Sequence, residues 1–160
     1  MSNAVLAELH DDGTGRLSYR GARYLLIRPE TLAALQHALE DALGSAAADS
    51  FVAGGRAGGG KATASFSGAE RERVDALLAM GTRIGWGHFA LERHAANDLR
   101  VTVTNSPFAE AYGRADAPVC HLIRGVLEAL AAAVLTGRPR VTETACAAMG
   151  AAACRFEARV

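Results

Sequence analysis

All three cysteines of this chain lie between positions 120 and 154, at Cys120, Cys146 and Cys154, and Glu143 stands three residues ahead of the second. Thiolates and carboxylates are ordinary donors to zinc, which imposes no geometry beyond four-coordination. Four such side chains from three neighbouring segments could close a tetrahedral shell around one ion. A plainer explanation competes: free cysteine is among the most buried residue types and often serves as a small hydrophobe. No repeated Cys-x-x-Cys pair decides between the two.

The segments carrying these residues have distinct patterns. Asp116 or Ala117 reads as the cap of a helix with Pro118 in its first turn, and Ile123, Leu127, Leu130 and Val134 form its inward face until Gly137 and Pro139 stop it. Cys120 then falls in the first helical turn, where free N–H groups and the positive dipole end favour a thiolate. Residues 140–145 and 154–160 read as strands, with Phe156, Ala158 and Val160 alternating against Arg155, Glu157 and Arg159, and Gly150 permits the turn between them. Glu143 and Cys146 differ in strand parity, so both point at one ion only if a bulge or turn intervenes near Ala145. Three thiolates and one carboxylate would leave no position for a catalytic water, which makes the site structural.

Other chemistry is thinner. Residues 54–63 nearly spell a phosphate loop, since Gly55 and Gly60-Lys61 have the spacing, but Ala62 stands where a hydroxyl must hold magnesium. Small residues there serve equally for close helix approach or for room beside a bound molecule. Phe51, Phe66, Trp86, Phe89 and Phe108 could line an apolar cavity or be plain core. With His94 they make up the candidate ligand-binding set. His88 and His94 share a strand face and His121 adjoins Cys120, without the partner spacing of a base or nucleophile.

The preceding elements are legible from turn signals and periodicity. Residues 1–13, ending in AspAspGly, can be read as a loose arm. Residues 17–19 and 23–27 read as a short hairpin or broken strand. Pro29 opens a helix whose Leu32, Leu35, Leu39 and Leu43 predict a core-facing stripe ending at Gly44. Ser67 with Glu70 predicts a capping box before the face Val74, Leu77, Leu78 and Met80. Residues 86–94 and 99–104 predict a hairpin at the sheet centre, followed by a loop from Asn105 to Ala117.

At 160 residues the chain is one domain, 1–160, large enough for a core without disulfides. Seventeen basic residues balance 17 acidic ones, leaving no electrostatic footprint for nucleic acid. The longest apolar run, 129–135, is too short to span a bilayer, and no leader pattern is evident. An odd cysteine count without a leader favours reduced thiols and a cytoplasmic location.

The runs GlyTrpGly (85–87), AsnSerPro (105–107), ProValCys (118–120), Glu143-x-x-Cys146 and Cys146-x-x-x-Gly150-x-x-x-Cys154-x-Phe156 resemble the 4-vinyl-reductase domain family. That family includes bacteriochlorophyll 4-vinyl reductase-type proteins and the sensor domain of phenol- and xylene-responsive activators. The resemblance implies an α+β fold with an antiparallel sheet packed with helices, the ligand-binding type of NO signalling and Golgi transport, similar to small subunits of vesicle-tethering complexes. It implies metal ligands at Cys120, Glu143, Cys146 and Cys154, structural zinc, and a helical glycine-rich region at 45–64.

By resemblance the task is binding a small hydrophobic or aromatic ligand as a sensor or carrier, in a homodimer for which residues 29–43 are the first place to look for the contact. Phenol-responsive members hold the ligand hydroxyl with a Trp and a His upstream of the metal; near that Trp position this chain has residues 94–99 and no aromatic. Activators of the family continue into ATPase and DNA-binding domains, whereas this sequence stops at Val160, so a signal is expected to pass to a separate signalling or biosynthetic partner. Two alternatives stand beside this. One is an enzyme or accessory of chlorophyll-precursor vinyl reduction, for which no dinucleotide fingerprint is present. The other is a dimeric protein-interaction module.

Overall fold

Alternation of apolar and polar residues sets the main sheet. In the computed structural model, which describes residues 3–160, strands β4 (His88–Ala95), β5 (Asp98–Thr104), β6 (Arg140–Ala145) and β7 (Cys154–Arg159) pair antiparallel in the order β4-β5-β7-β6. The β4–β5 hairpin therefore occupies one side of the sheet, with β4 at its edge, and only β5 and β7 are central. The sheet centre needs strands covered by a partner on both sides, and β7 arrives from the far end of the chain to supply this for β5. Leu99, Val101 and Val103 of β5 and Phe156 and Ala158 of β7 are buried, whereas Val160 lies beyond the strand and is exposed.

Across this face lies α6 (His121–Val134), whose Ile123, Leu127, Leu130 and Val134 are at most 4 % exposed, as the helical spacing predicts. It begins later than expected. Cys120 is the cap residue, and Pro118 and Val119 precede the helix. The stretch expected as a loop from Asn105 contains a short helix α5 (Pro107–Tyr112), whose cap Ser106 accepts a hydrogen bond from the Ala109 N–H.

The glycine-rich stretch is helical, in α3 (Ala46–Ala64), despite a propensity cost of roughly 0.8–1 kcal/mol per glycine. Close approach to α6 accounts for part of this composition. A Cβ on Gly55 would lie 2.3 Å from the Leu122 carbonyl oxygen, one on Gly125 2.2 Å from that of Val52, and one on Gly59 2.7 Å from the Val126 Cα. Gly54, Gly58 and Gly60 would meet nothing within 4 Å. Helix α4 (Glu70–Arg83) buries Val74, Leu77 and Leu78. Its capping contact is shifted by two residues from the expected Ser67–Glu70 pair: the Ala69 N–H donates to Glu72 Oε2 at 2.9 Å. The helix starts at Glu70, so only Glu72 occupies the third helical position from which a side chain reaches back to the cap.

Helix α2 (Pro29–Leu43) starts at Pro29 and ends at Gly44 as read, but presents a different face. Ala33 and Gln36 are buried, while Leu35 and Leu43 are each 50 % exposed. Gln36 Nε2 donates to the Val119 carbonyl at 3.2 Å and to Glu40 Oε1 at 2.9 Å. Those polar contacts lie on the buried side, and the predicted stripe splits: Leu32 and Leu39 are half-buried, while Leu35 and Leu43 face outward. The N-terminal stretch read as an arm holds α1 (Ala4–Glu8), with Val5 buried, and β1 (His10–Asp11); residues 1–2 of it fall outside the described part. Strand β1 joins β2 (Leu17–Tyr19) and β3 (Ala22–Tyr24) in a small antiparallel sheet, leaving Leu25, Leu26 and Ile27 outside it and exposed.

Candidate metal centre and apolar cavity

Three connections converge at the N-terminus of α6. Cys120 caps that helix, Cys146 precedes a 3-10 turn (Ala147–Met149), and Cys154 opens β7 after Gly150 has reversed the chain at φ 91°. Glu143 comes from β6, and the β6–β7 register shifts between Glu143 and Ala145, the irregularity that the strand parity requires. The donor atoms of Cys120, Glu143, Cys146 and Cys154 all lie within 4.8 Å of one another. All three cysteines are fully buried and Glu143 is 4 % exposed.

The donor set has the chemistry of a cation site. Cys120 Sγ and Cys154 Sγ are 3.6 Å apart, far beyond the ~2.05 Å of a disulfide and close to the ~3.8 Å edge of a tetrahedron with Zn–S bonds of ~2.3 Å. The Cys120 N–H donates to Glu143 Oε2 at 3.0 Å, leaving Oε1 buried with no hydrogen-bond partner among the described residues. A buried carboxylate oxygen without a donor is costly, and a cation or a proton would relieve it. Ser106 Oγ lies 3.5 Å from Cys120 Sγ, and the Ala147 N–H donates to Cys154 Sγ at 3.3 Å. Contacts of this second kind orient donors from outside the shell.

Burial disfavours charge across the cluster. Burial first, and then the adjacent Cys146, pushes the Glu143 carboxyl up to about 8. Hydrogen bonds from Cys120 and then Cys154 hold the Cys146 thiol far down, while the same contact with Cys146, with burial, drives Cys120 far up. At Cys154 the Cys120 bond pulls downward, but the Cys146 bond and burial outweigh it and the thiol rises to about 12. Ionising all three thiols together requires positive charge inside the cluster, which a divalent ion supplies.

A second feature lies along α6, a turn or two from Cys120. Helices α3, α4 and α6 and strand β4 form a cavity of about 240 Å³ that opens to solvent beside Gly54 and Gly58 and is walled by Met80, Trp86, Phe89 and Val126 among others. Among the described residues, Tyr24 is the sole ionisable one in its wall. Of the aromatic residues singled out in sequence, Trp86 and Phe89 line this cavity and Phe66 lines a wider recess beside it. Phe51 and Phe108 instead flank a small crevice against α2, and Phe108 meets Trp86 edge-to-face at 5.0 Å. His94 pairs with Leu99 in the hairpin and lines neither space. Leu122, Val126, Ile84 and Met80 are wall residues that sequence reasoning did not select, because nothing in helical periodicity separates a cavity wall from a filled core.

Residues 99–160 match the family model of the 4-vinyl-reductase domain. The fold is shared with the phenol-responsive sensory domain of the transcription activator PoxR, solved with phenol, at TM-score 0.85 and 20 % identity over 98 % of this chain and 86 % of that one. A vinyl-4-reductase family protein from Methanocaldococcus jannaschii superposes at TM-score 0.58 with 14 % identity, covering 88 % of this chain and 84 % of its own. A trafficking protein particle complex subunit 3 from Naegleria fowleri, covalently bound to palmitic acid, gives 0.58 and 14 % over 82 % and 93 %. No curated protein matches the sequence. The resemblance to the 4-vinyl-reductase family and the α+β fold it implies both hold.

Proposed function

We propose that this chain, of 4-vinyl-reductase type in fold and in its C-terminal sequence, binds a small hydrophobic or aromatic molecule as a sensor or carrier, with structural zinc pinning one end of the helix that contacts the ligand. The observation that carries this reading is the apolar cavity of about 240 Å³, at whose solvent-exposed edge Gly54 and Gly58 stand with no packing contact that requires glycine. A longer side chain at either position would sit at the mouth, and its omission leaves the mouth open. A wall with one ionisable group offers no acid–base pair, so recognition by shape and burial is favoured over catalysis. The PoxR domain was solved with phenol, which fits an aromatic body in the cavity.

Zinc would be held by Cys120, Glu143, Cys146 and Cys154. It would charge-neutralise the buried thiolates and tie the α6 N-terminus to the β6–β7 connection. Leu122, two residues after Cys120, reaches the cavity wall, so the metal fixes the helix that the ligand touches. A second copy is the partner proposed for the outward leucines of α2 and the neighbouring Leu25 and Leu26, which are 72 % and 80 % exposed.

Native mass spectrometry of gently purified protein reads all three features together: one zinc per chain, a co-purified small molecule, and an even subunit number. Cys146→Ser should lower metal content and thermal stability jointly. Full-length protein that contains no metal, with Cys146→Ser as stable as the parent, would refute the zinc site.

A further inference from the structure

Four cationic side chains, Arg20, Arg23, Lys61 and Arg83, ring a recess of about 620 Å³ that shares Tyr24, Gly58, Ala62 and Met80 with the apolar cavity. No Asp or Glu among the described residues lines it. In a chain whose charges balance overall, this is a local segregation, and it sits at the point where an apolar cavity meets solvent. Arg20 is engaged, donating to Glu8 at 3.1 Å. Arg23, Lys61 and Arg83 form no ion pair among the described residues.

These three cations come from separate elements, β3, the end of α3 and the end of α4, so they are not one solvated helix face. Like charges brought together across a recess repel one another, and an anion seated between them relieves this. Tyr24 stands at the junction of the two spaces, with its phenol above the ordinary tyrosine range because of its burial and the neighbouring Tyr19. It remains a neutral hydroxyl donor at physiological pH.

We infer that the ligand of this chain is amphiphilic: an apolar body in the glycine-walled cavity and an anionic end, carboxylate or phosphate monoester, held at the rim by Arg23, Lys61 and Arg83. The inference rests on the cavity reading and adds a charge to the ligand. Neutral phenols would leave the rim unused, whereas an organic anion uses both spaces. Exposed ion pairs contribute a few-fold each, so several together give a preference of about tenfold over a neutral analogue.

Two fluorogenic probes separate body from charge: 8-anilinonaphthalene-1-sulfonate and its uncharged counterpart N-phenyl-1-naphthylamine, titrated into the full chain at low and high salt. Dye bound on the outer surface is subtracted with Gly58→Leu, which adds bulk at a residue that lines both spaces. The expected result is about tenfold tighter binding of the sulfonate, a preference that high salt weakens and that Arg23→Gln/Lys61→Gln collapses. Competition by 4-phenylbutyrate against 4-phenylbutyl phosphate then tells a carboxylate guest from a phosphate one. If the neutral dye binds the cavity as tightly as the sulfonate, or if the preference survives the double substitution, the anionic end is refuted while the cavity reading stands. If neither dye distinguishes the parent from Gly58→Leu, both readings fall.

Discussion

Replacing Gly55 and Gly58 by alanine, one at a time, should change stability in opposite directions although the two lie three residues apart on α3. At Gly58 a Cβ would meet nothing within 4 Å. Alanine there gains helix propensity of about 1 kcal/mol without a steric cost. At Gly55 the same propensity gain is opposed by a Cβ placed 2.3 Å from the Leu122 carbonyl oxygen and 3.1 Å from the Gly125 Cα. Both obstacles are backbone, so no rotamer change relieves them, and α3 must back away from α6 by about 1 Å to reach ordinary contact. Overpacking of this kind costs about 1–3 kcal/mol, and a rigid backbone obstacle puts the cost at or above the upper end of that range.

The two variants should therefore differ by about 2–4 kcal/mol. For a domain of this size that corresponds to roughly 5–15 °C in Tm. Urea unfolding followed by circular dichroism, with both variants in the same metal-loaded state, measures the difference free of ligand linkage. A Gly55→Ala variant as stable as the parent, or a Gly58→Ala variant destabilised to the same degree as Gly55→Ala, would refute the account of why this helix is rich in glycine.

Glu143→Gln retains an acceptor for the Cys120 N–H but removes the charge, and should weaken zinc in a chelator competition by more than the 10–100-fold typical of outer partners. Ser106→Ala removes an outer contact to the Cys120 sulfur together with the α5 cap, and should fall within that 10–100-fold range in the same assay. Tyr112 donates to Glu40 Oε2 at 2.6 Å, a bond that, with burial, raises its phenol to about 12. Because the folded pKa lies above the unfolded value of about 10, this contribution to stability is fully present below pH 10 and is lost as pH rises from 10 through 12. An ultraviolet titration should show a tyrosine titrating near 12 that disappears in Tyr112→Phe; its persistence there would reassign the shift.

The four candidate metal donors were legible as residue types, and even the break in strand β6 followed from the parity of Glu143 and Cys146. Their convergence was not, since spacings of 23 to 34 residues between Cys120 and the others say nothing about distance until α6 crosses the sheet. The capping contact of α4 was not legible because Ser67 and Glu70 fit the pattern and Ala69 does not, and only the helix start at Glu70 places Glu72 where it reaches the Ala69 N–H. Periodicity announced a leucine face on α2 without saying what covers it.

What local chemistry determines in this chain is therefore each element taken alone: the inward side of α6, the alternation in β5 and β7, the reversal at Gly150, the helix start at Pro29. These depend on interactions within a few residues, which sequence order preserves. The rotation of α2, the pairing of β5 with β7, the openness of the cavity beside Gly54 and Gly58, and the gathering of Arg23, Lys61 and Arg83 at its rim were decided by the tertiary structure. Each depends on groups far apart in the chain whose separation is set only when the helices close on the sheet.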